Sequence, residues 1–183
     1  MASELHVDAI KHSGGTSAMT IDSSGRVTMP ARPAFAVHLE TTVALDGSNG
    51  WGSTHGSNSL SSGSWDWKTT HGGYNVGSNW ASATNRFTAP IAGLYSFTWS
   101  MVMAGAGDGV TFRIEQSGGT STTRYAGTNF SNGNSVSSPT HTIQLLMAVN
   151  DTADLQVGYS RSNSVEGDSG GFGRTWWSGY FVG

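Results

Sequence analysis

The sequence contains no cysteine, which excludes disulfide cross-links and thiolate metal sites. Charge is also scarce. Nine Lys and Arg face twelve Asp and Glu, and charged residues make up only 11% of the chain, for a formal net charge of −3. Without a basic excess there is no electrostatic footprint for nucleic acid or an anionic membrane, so neither is expected as a partner. No apolar run approaches the roughly 18–20 residues of a membrane-spanning helix, so no membrane insertion is expected. The opening "MASELHVDAIKHSGG" lacks the apolar core of a secretory signal, and the expectation is a protein made in a cytosol and not exported by the general secretory route. Glutamate is limited to Glu4, Glu40, Glu115 and Glu166, and nothing marks a hydrolytic carboxylate pair among them. No segment carries a convincing helical period.

What is plentiful is glycine, at 26 residues, together with seven Trp, seven Phe and five Tyr. Aromatic-rich runs broken by Gly and Ser point to an all-β domain with many turns. The 183 residues suffice for one sizeable domain and a short appendage.

From Arg32 onward the period-two signal is strong. Phe35, Val37 and Leu39 share one face of a first strand. Residues 94–104, "LYSFTWSMVMA", give the clearest strand, with Tyr95, Phe97, Trp99, Met101 and Met103 opposite mostly small or polar residues. Further stripes run through Val110, Phe112 and Ile114; through Ile143, Leu145, Met147 and Val149; and through Leu155, Val157 and Tyr159. Trp65–Lys68 and Tyr74–Val76 are short candidate strands, and Trp176–Val182 closes the chain as an aromatic strand. Residues 46–64, "DGSNGWGSTHGSNSLSSGS", are low in complexity and are expected to form one long mobile loop.

Residues 1–31 differ in texture. Leu5, Val7 and Ala9 alternate with polar residues, as do Met19 and Ile21, and Val27 and Met29. Asp22-Ser23-Ser24-Gly25 is a good hairpin loop, with Gly25 supplying positive φ. Such an arm cannot bury a core alone; it needs the main domain, identical arms or a docking partner.

Several motifs invite a chemical reading. "GDSGG" at 167–171 spells the pentapeptide around the nucleophilic serine of chymotrypsin-like proteases. A protease also needs a His base, an orienting Asp and an oxyanion hole. His55 and His71 lie in Gly/Ser/Thr loops, Asp108 qualifies by order alone, and only 12 residues follow Gly171, too few to build a substrate pocket. The motif is therefore assigned to a strand-connecting turn, and no enzyme is expected. "GAGDG" at 105–109 lacks the spacing and helix of a phosphate loop. No His pair has metal-ligand spacing, and Asp151 and Asp154 flank a turn that they are expected to cap rather than to bind Ca²⁺; no metal or cofactor is assigned. Trp51, Trp65 and Trp67 lie in or beside the long loop, and exposed indoles stack on sugar rings. Trp51 and Trp65 are the candidate receptor contacts, against the alternative that Trp65 and Trp67 pack on the domain.

Residues 32–183 resemble the globular head of complement C1q, the jelly roll shared with the tumour-necrosis-factor family. "RPAFAVHL" (32–39) is similar to that family's first strand. "YNVGSNWASATNRFTAPIAGLYSFTWSM" (74–101) carries Asn75, Gly77, Trp80, Thr84, Phe87, Pro90, Gly93, Tyr95 and Phe97 at the family's spacing. "LLMAVNDTADLQV" (145–157) resembles a strand, turn and strand, and "WWSGYFV" (176–182) the closing strand, with Trp177, Ser178, Gly179 and Tyr180 in place. Asn85 and Asn150 stand where Gly is usual, and Asn tolerates the same left-handed backbone. The resemblance implies a ten-stranded antiparallel jelly-roll sandwich that forms a homotrimer. Its motif core would be Phe35, Asn75, Gly77, Phe87, Pro90, Gly93, Tyr95, Phe97, Trp177, Gly179 and Phe181.

"ELHVDAIKHSGGTSAMTIDSSGRVTMP" is similar to the attachment segments of small virion proteins of tailed bacteriophages. That resemblance implies an arm (1–31) that docks to other virion proteins through Leu5, Val7, Ile10, Met19 and Ile21, ahead of a knob (32–183). Trimerisation would let three arms share one core. The function expected is a structural virion protein, a trimeric fibre whose knob contacts a host-surface glycan or protein by avidity. Capsid decoration without receptor binding and a stand-alone lectin-like module are the alternatives.

Overall fold

The computed structural model describes residues 6–29, 32–46, 50–53, 61–62, 65–70, 72–104, 110–118, 121–130, 140–159, 162–167 and 175–183. The described residues form strands and turns with no helix, as the alternating apolar pattern requires.

Two large antiparallel sheets enclose the core. The first runs in the order Thr140–Met147, Gly93–Ser100, Trp176–Phe181, Ala34–Leu39, with the short strands Trp67–Lys68 and Tyr74–Val76 both pairing along Ala34–Leu39. The second runs Trp80–Ala81, Arg86–Thr88, Thr152–Tyr159, Val110–Gly118, Ser121–Phe130. A smaller sheet joins Met103–Ala104, Ser162–Val165, Val43–Asp46 and Ser61–Ser62.

Register decides which side chains meet. In the first sheet Phe97 lies opposite Ile143 and Gly179, Trp99 opposite Trp177, and Gly179 opposite Phe35. In the second, Phe87 lies opposite Ala153, Leu155 opposite Ile114, and Val157 opposite Phe112. These inward residues, with Val37, Leu39, Tyr95, Leu145 and Met147, form one continuous cluster. Phe35 is its centre. Its ring packs 4.5 Å from that of Trp177 and 5.3 Å from Phe87, with Phe97 and Trp80 each at 6.4 Å. Aromatic pairs in such offset and edge-on geometry gain beyond their area burial.

Two pieces of the stretch expected as one long loop are strands. Gly50–Ser53 pairs with Gln156–Tyr159, and Ser61–Ser62 pairs with Ala44–Leu45. Backbone N–H and C=O groups beside a sheet edge gain by pairing whatever the side chains are. Gly and Ser carry no hydrophobic alternation, so these strands leave no period to read.

The left-handed turn positions follow the sequence reading. Asn85 (φ 50°) and Asn150 (φ 69°) adopt the positive φ that Gly supplies elsewhere. Asp151 caps its own turn: its carboxylate accepts the Ala148 N–H at 2.9 Å and the Gln116 side-chain amide at 2.9 Å.

The N-terminal segment forms a separate three-stranded antiparallel sheet, Ala9–Lys11, Ser17–Ile21 and Val27–Thr28. Its second turn is closed by Asp22. One carboxylate oxygen accepts the Ser24 and Arg26 backbone N–H groups at 2.9 and 3.0 Å, and the other pairs with the Arg26 guanidinium at 2.7 Å. The Arg26 backbone and side-chain bonds hold the Asp22 carboxyl below its ordinary pKa. Gly25 takes φ 77°, as the hairpin loop demands.

Candidate functional site

The motif residues have separable structural tasks. Asn75 brackets a neighbouring strand: its side-chain oxygen accepts the Trp80 N–H at 3.1 Å, and its amide donates to the Trp80 carbonyl at 2.7 Å. Gly77 (φ 78°) makes the turn between them. Pro90 starts the exposed turn after Arg86–Thr88, and the buried Tyr95 hydroxyl donates to the Ile91 carbonyl at 2.8 Å, pinning that turn. Burial raises the Tyr95 pKa, partly offset by this bond. Gly93 sits at φ 152°, and Phe181 packs where its side chain would be. Phe35, Phe87, Phe97 and Trp177 are fully buried, and Phe181 is half-buried against them.

The candidate receptor contacts separate. Trp65 is only 2% exposed and stacks on Trp67 with ring centroids 6.3 Å apart. An indole packed in this way cannot stack on an external sugar, so the expectation for Trp65 is corrected. The backbone of Trp51 pairs opposite Gly158; its side chain lies outside the described residues, as do Leu5 and Ser169 of the protease-like pentapeptide. Gly167 is described: its N–H donates to the Thr42 hydroxyl at 3.1 Å. Residues 105–109, "GAGDG", also fall outside the described residues. Among the described residues no group of three or more His, Asp or Glu could hold a metal ion.

Beside the Trp65–Trp67 stack a cleft of about 480 Å³ is lined by Asp66, Trp67, Lys68, Asn75, Trp80 and Ser82. Asp66 and Lys68 pair at 2.7 Å, and this contact raises the Lys68 pKa. The two charges answer each other, so the cleft offers hydrogen bonds rather than a net field.

The more distinctive surface is the outer face of the first sheet. One cross-strand row contains Val76, Ala34, Tyr180, Ser96 and Gln144. The next contains Tyr74, Ala36, Ser178, Thr98 and Thr142, with the two threonine hydroxyls bonded at 2.9 Å. Leu94 and Leu146 stand opposite each other at the end of this face. None of these residues is charged, and Leu146 is 76% and Tyr180 50% exposed. The side of the second sheet turned away from the core carries charge instead, although Asp154 is only 2% and Gln156 8% exposed. It places Arg86, Asp154 and Glu115 in one row and Arg113 beside Gln156 in another, with ion pairs at 3.5 Å (Arg86–Asp154) and 3.9 Å (Arg113–Glu115). The alternation was visible in the sequence, but which stripe of small and apolar residues would lie side by side was set by register.

No family model matches the sequence, and no curated protein sequence matches it. Solved structures do match in fold. The globular domain of zebrafish complement 1qA protein superposes with TM-score 0.51 at 14% identity, covering 82% of this chain and 98% of that one. Murine APRIL gives TM-score 0.55 at 6% identity over 82% and 99%. Eiger TNF from S. frugiperda gives 0.51 at 10% identity over 84% and 94%. The fold is the C1q/TNF-type jelly roll.

Proposed function

We propose that this chain is a non-enzymatic binding module that works as a homotrimer, a structural virion protein of a tailed bacteriophage whose knob contacts the host surface. The observation that carries the trimer is the contrast between the two outer faces. Protein contacts deplete charge at their centre and retain aromatic and aliphatic groups. The first sheet has that composition across Val76, Tyr74, Tyr180, Leu94 and Leu146; the second has a charged one. The virion assignment is supported by the resemblance of residues 1–31 to phage attachment segments. In a trimer, three weak knob contacts act together, and copies on one particle multiply them again.

Tyr180→Asp tests the trimer. A carboxylate at this position would be buried three times over without a counter-charge, which is strongly unfavourable. The expected result is a shift from trimer to monomer mass by light scattering, with the near-ultraviolet signal of the tryptophan core retained. A variant that stays trimeric refutes the assigned face.

Adsorption tests the role. Purified protein in excess should compete with whole phage for the host cell. If adsorption is unaffected while the protein is abundant in virions, host contact by the knob is wrong and a decoration role replaces it.

A further inference from the structure

We propose that the apolar face of the N-terminal sheet packs against the same face of two further copies of this chain, so that three arms build the core that one cannot. The proposal rests on the trimer reading above.

Register fixes the face. Ile10 lies opposite Met19 and Ile21 opposite Val27, while Met29 follows two residues beyond Val27. Successive residues alternate sides, so Ile10, Met19, Ile21, Val27 and Met29 share one side. Asp8, whose carbonyl accepts the Ile21 N–H at 2.8 Å, stands at its rim. Ile10 is 51%, Val27 53% and Met29 45% exposed within one chain. Three short strands gain independent stability only by burying such a face.

Two observations make the occupant this same chain. The strip is apolar and carries charge only at its Asp8 rim, so it is complementary to itself and has no patterned charge to select another protein. Its last residue also leads to the edge of the knob: the Met29 carbonyl accepts the Arg32 N–H at 3.1 Å. The Arg32 guanidinium donates to the Val182 carbonyl and lies 5.8 Å from the centre of the Phe181 ring, and the Phe181 N–H donates to the Pro33 carbonyl at 3.0 Å. Val182 in turn bonds Leu94 at 2.8 Å. The arm therefore joins the knob at the end of the first sheet's outer face where Leu94 and Leu146 precede the two uncharged rows. One three-fold axis serves both strips.

This divides the residues that the sequence grouped as a docking surface. Ile10, Met19 and Ile21 go to the shared core. Ala9, Thr20 and Thr28 lie on the opposite side, and that side remains for other virion proteins; Val7 precedes the first strand and is assigned to neither.

The chain has no native cysteine, so a single introduced thiol labels cleanly. Full-length Thr28→Cys carries a nitroxide on the outer side and Val27→Cys one on the inner side, and each sample's mass is measured alongside. Val27 labels should be broadened by neighbours on the order of the ~10 Å face-to-face spacing of packed sheets. Thr28 labels should give one narrow, longer intermolecular distance. Adding Ile21→Asp to the Thr28-labelled chain should spread that distance while the mass stays trimeric. Trimeric mass with no intermolecular coupling at either label, or a Thr28 distance indifferent to Ile21→Asp, overturns the shared core and leaves the knob trimer standing. Monomeric mass overturns both.

Discussion

Phe35→Ala should lower stability by about 3–5 kcal/mol, the range for removing a buried aromatic ring without collapse of its surroundings. Collapse is blocked on every side. The ring is fully buried and touches Trp177, Phe87, Phe97 and Trp80, which lie on four different strands. Each neighbour is held by its own sheet register, so none can move in without breaking a ladder. For a domain of this size the loss corresponds to a fall in Tm of roughly 6–20 °C, at about 2–4 °C per kcal/mol. Thermal unfolding at fixed protein concentration measures it, because stability depends on concentration in the proposed trimer. Tryptophan emission should shift to the red, since Trp80 and Trp177 lose a packed face. A loss under about 1 kcal/mol would mean that the aromatic cluster is not the centre of the core.

Gly179→Ala should destabilise by at least about 1–3 kcal/mol through overpacking, although it adds one methyl group. A Cβ at this position would stand 2.5 Å from Phe97 Cδ1, 2.6 Å from its Cε1 and 2.7 Å from Phe35 Cε1. Gly179 lies opposite both phenylalanines in the two flanking strands. Its missing side chain is the space into which both rings lean. Neither ring can rotate away, because Phe97 also packs on Phe87 with centroids 5.7 Å apart and Phe35 on Trp177 at 4.5 Å. Substitutions that share a contact should be non-additive. In a Phe35→Leu background, where the opposing ring is gone, Gly179→Ala should cost measurably less. An equal cost in both backgrounds refutes the steric account. Gly25→Ala is the contrasting case. Nothing lies within 4 Å of a Cβ there, so its cost comes from φ 77° alone and should be confined to the arm hairpin.

These two sites show how far the sequence could be read. The stripe Tyr95-Phe97-Trp99 and the stripe Phe35-Val37-Leu39 announced inward faces, because a strand that buries one side must alternate. The positive φ of Asn85 and Asn150 was legible too, since few residues other than Gly and Asn tolerate it. The strands Gly50–Ser53 and Ser61–Ser62 were not legible. They are held by backbone pairing to neighbours 105 and 18 positions away in sequence (Gly52 to Val157, Ser62 to Ala44), and Gly and Ser report nothing of that pairing.

Composition and local pattern by themselves determined an all-β chain without thiol chemistry, its turn positions, and the change from weak alternation in residues 1–31 to strong alternation from Arg32 onward. Tertiary structure alone decided that Trp65 belongs to the core, that Ile10 and Val27 meet Met19 and Ile21 across one side of the N-terminal sheet, and that the two rows through Tyr180 and Ser178 are uncharged while the second sheet carries its ions in rows. The physical reason is that alternation constrains each strand separately. Which faces become neighbours depends on long-range register, and register is selected by the packing of the whole core.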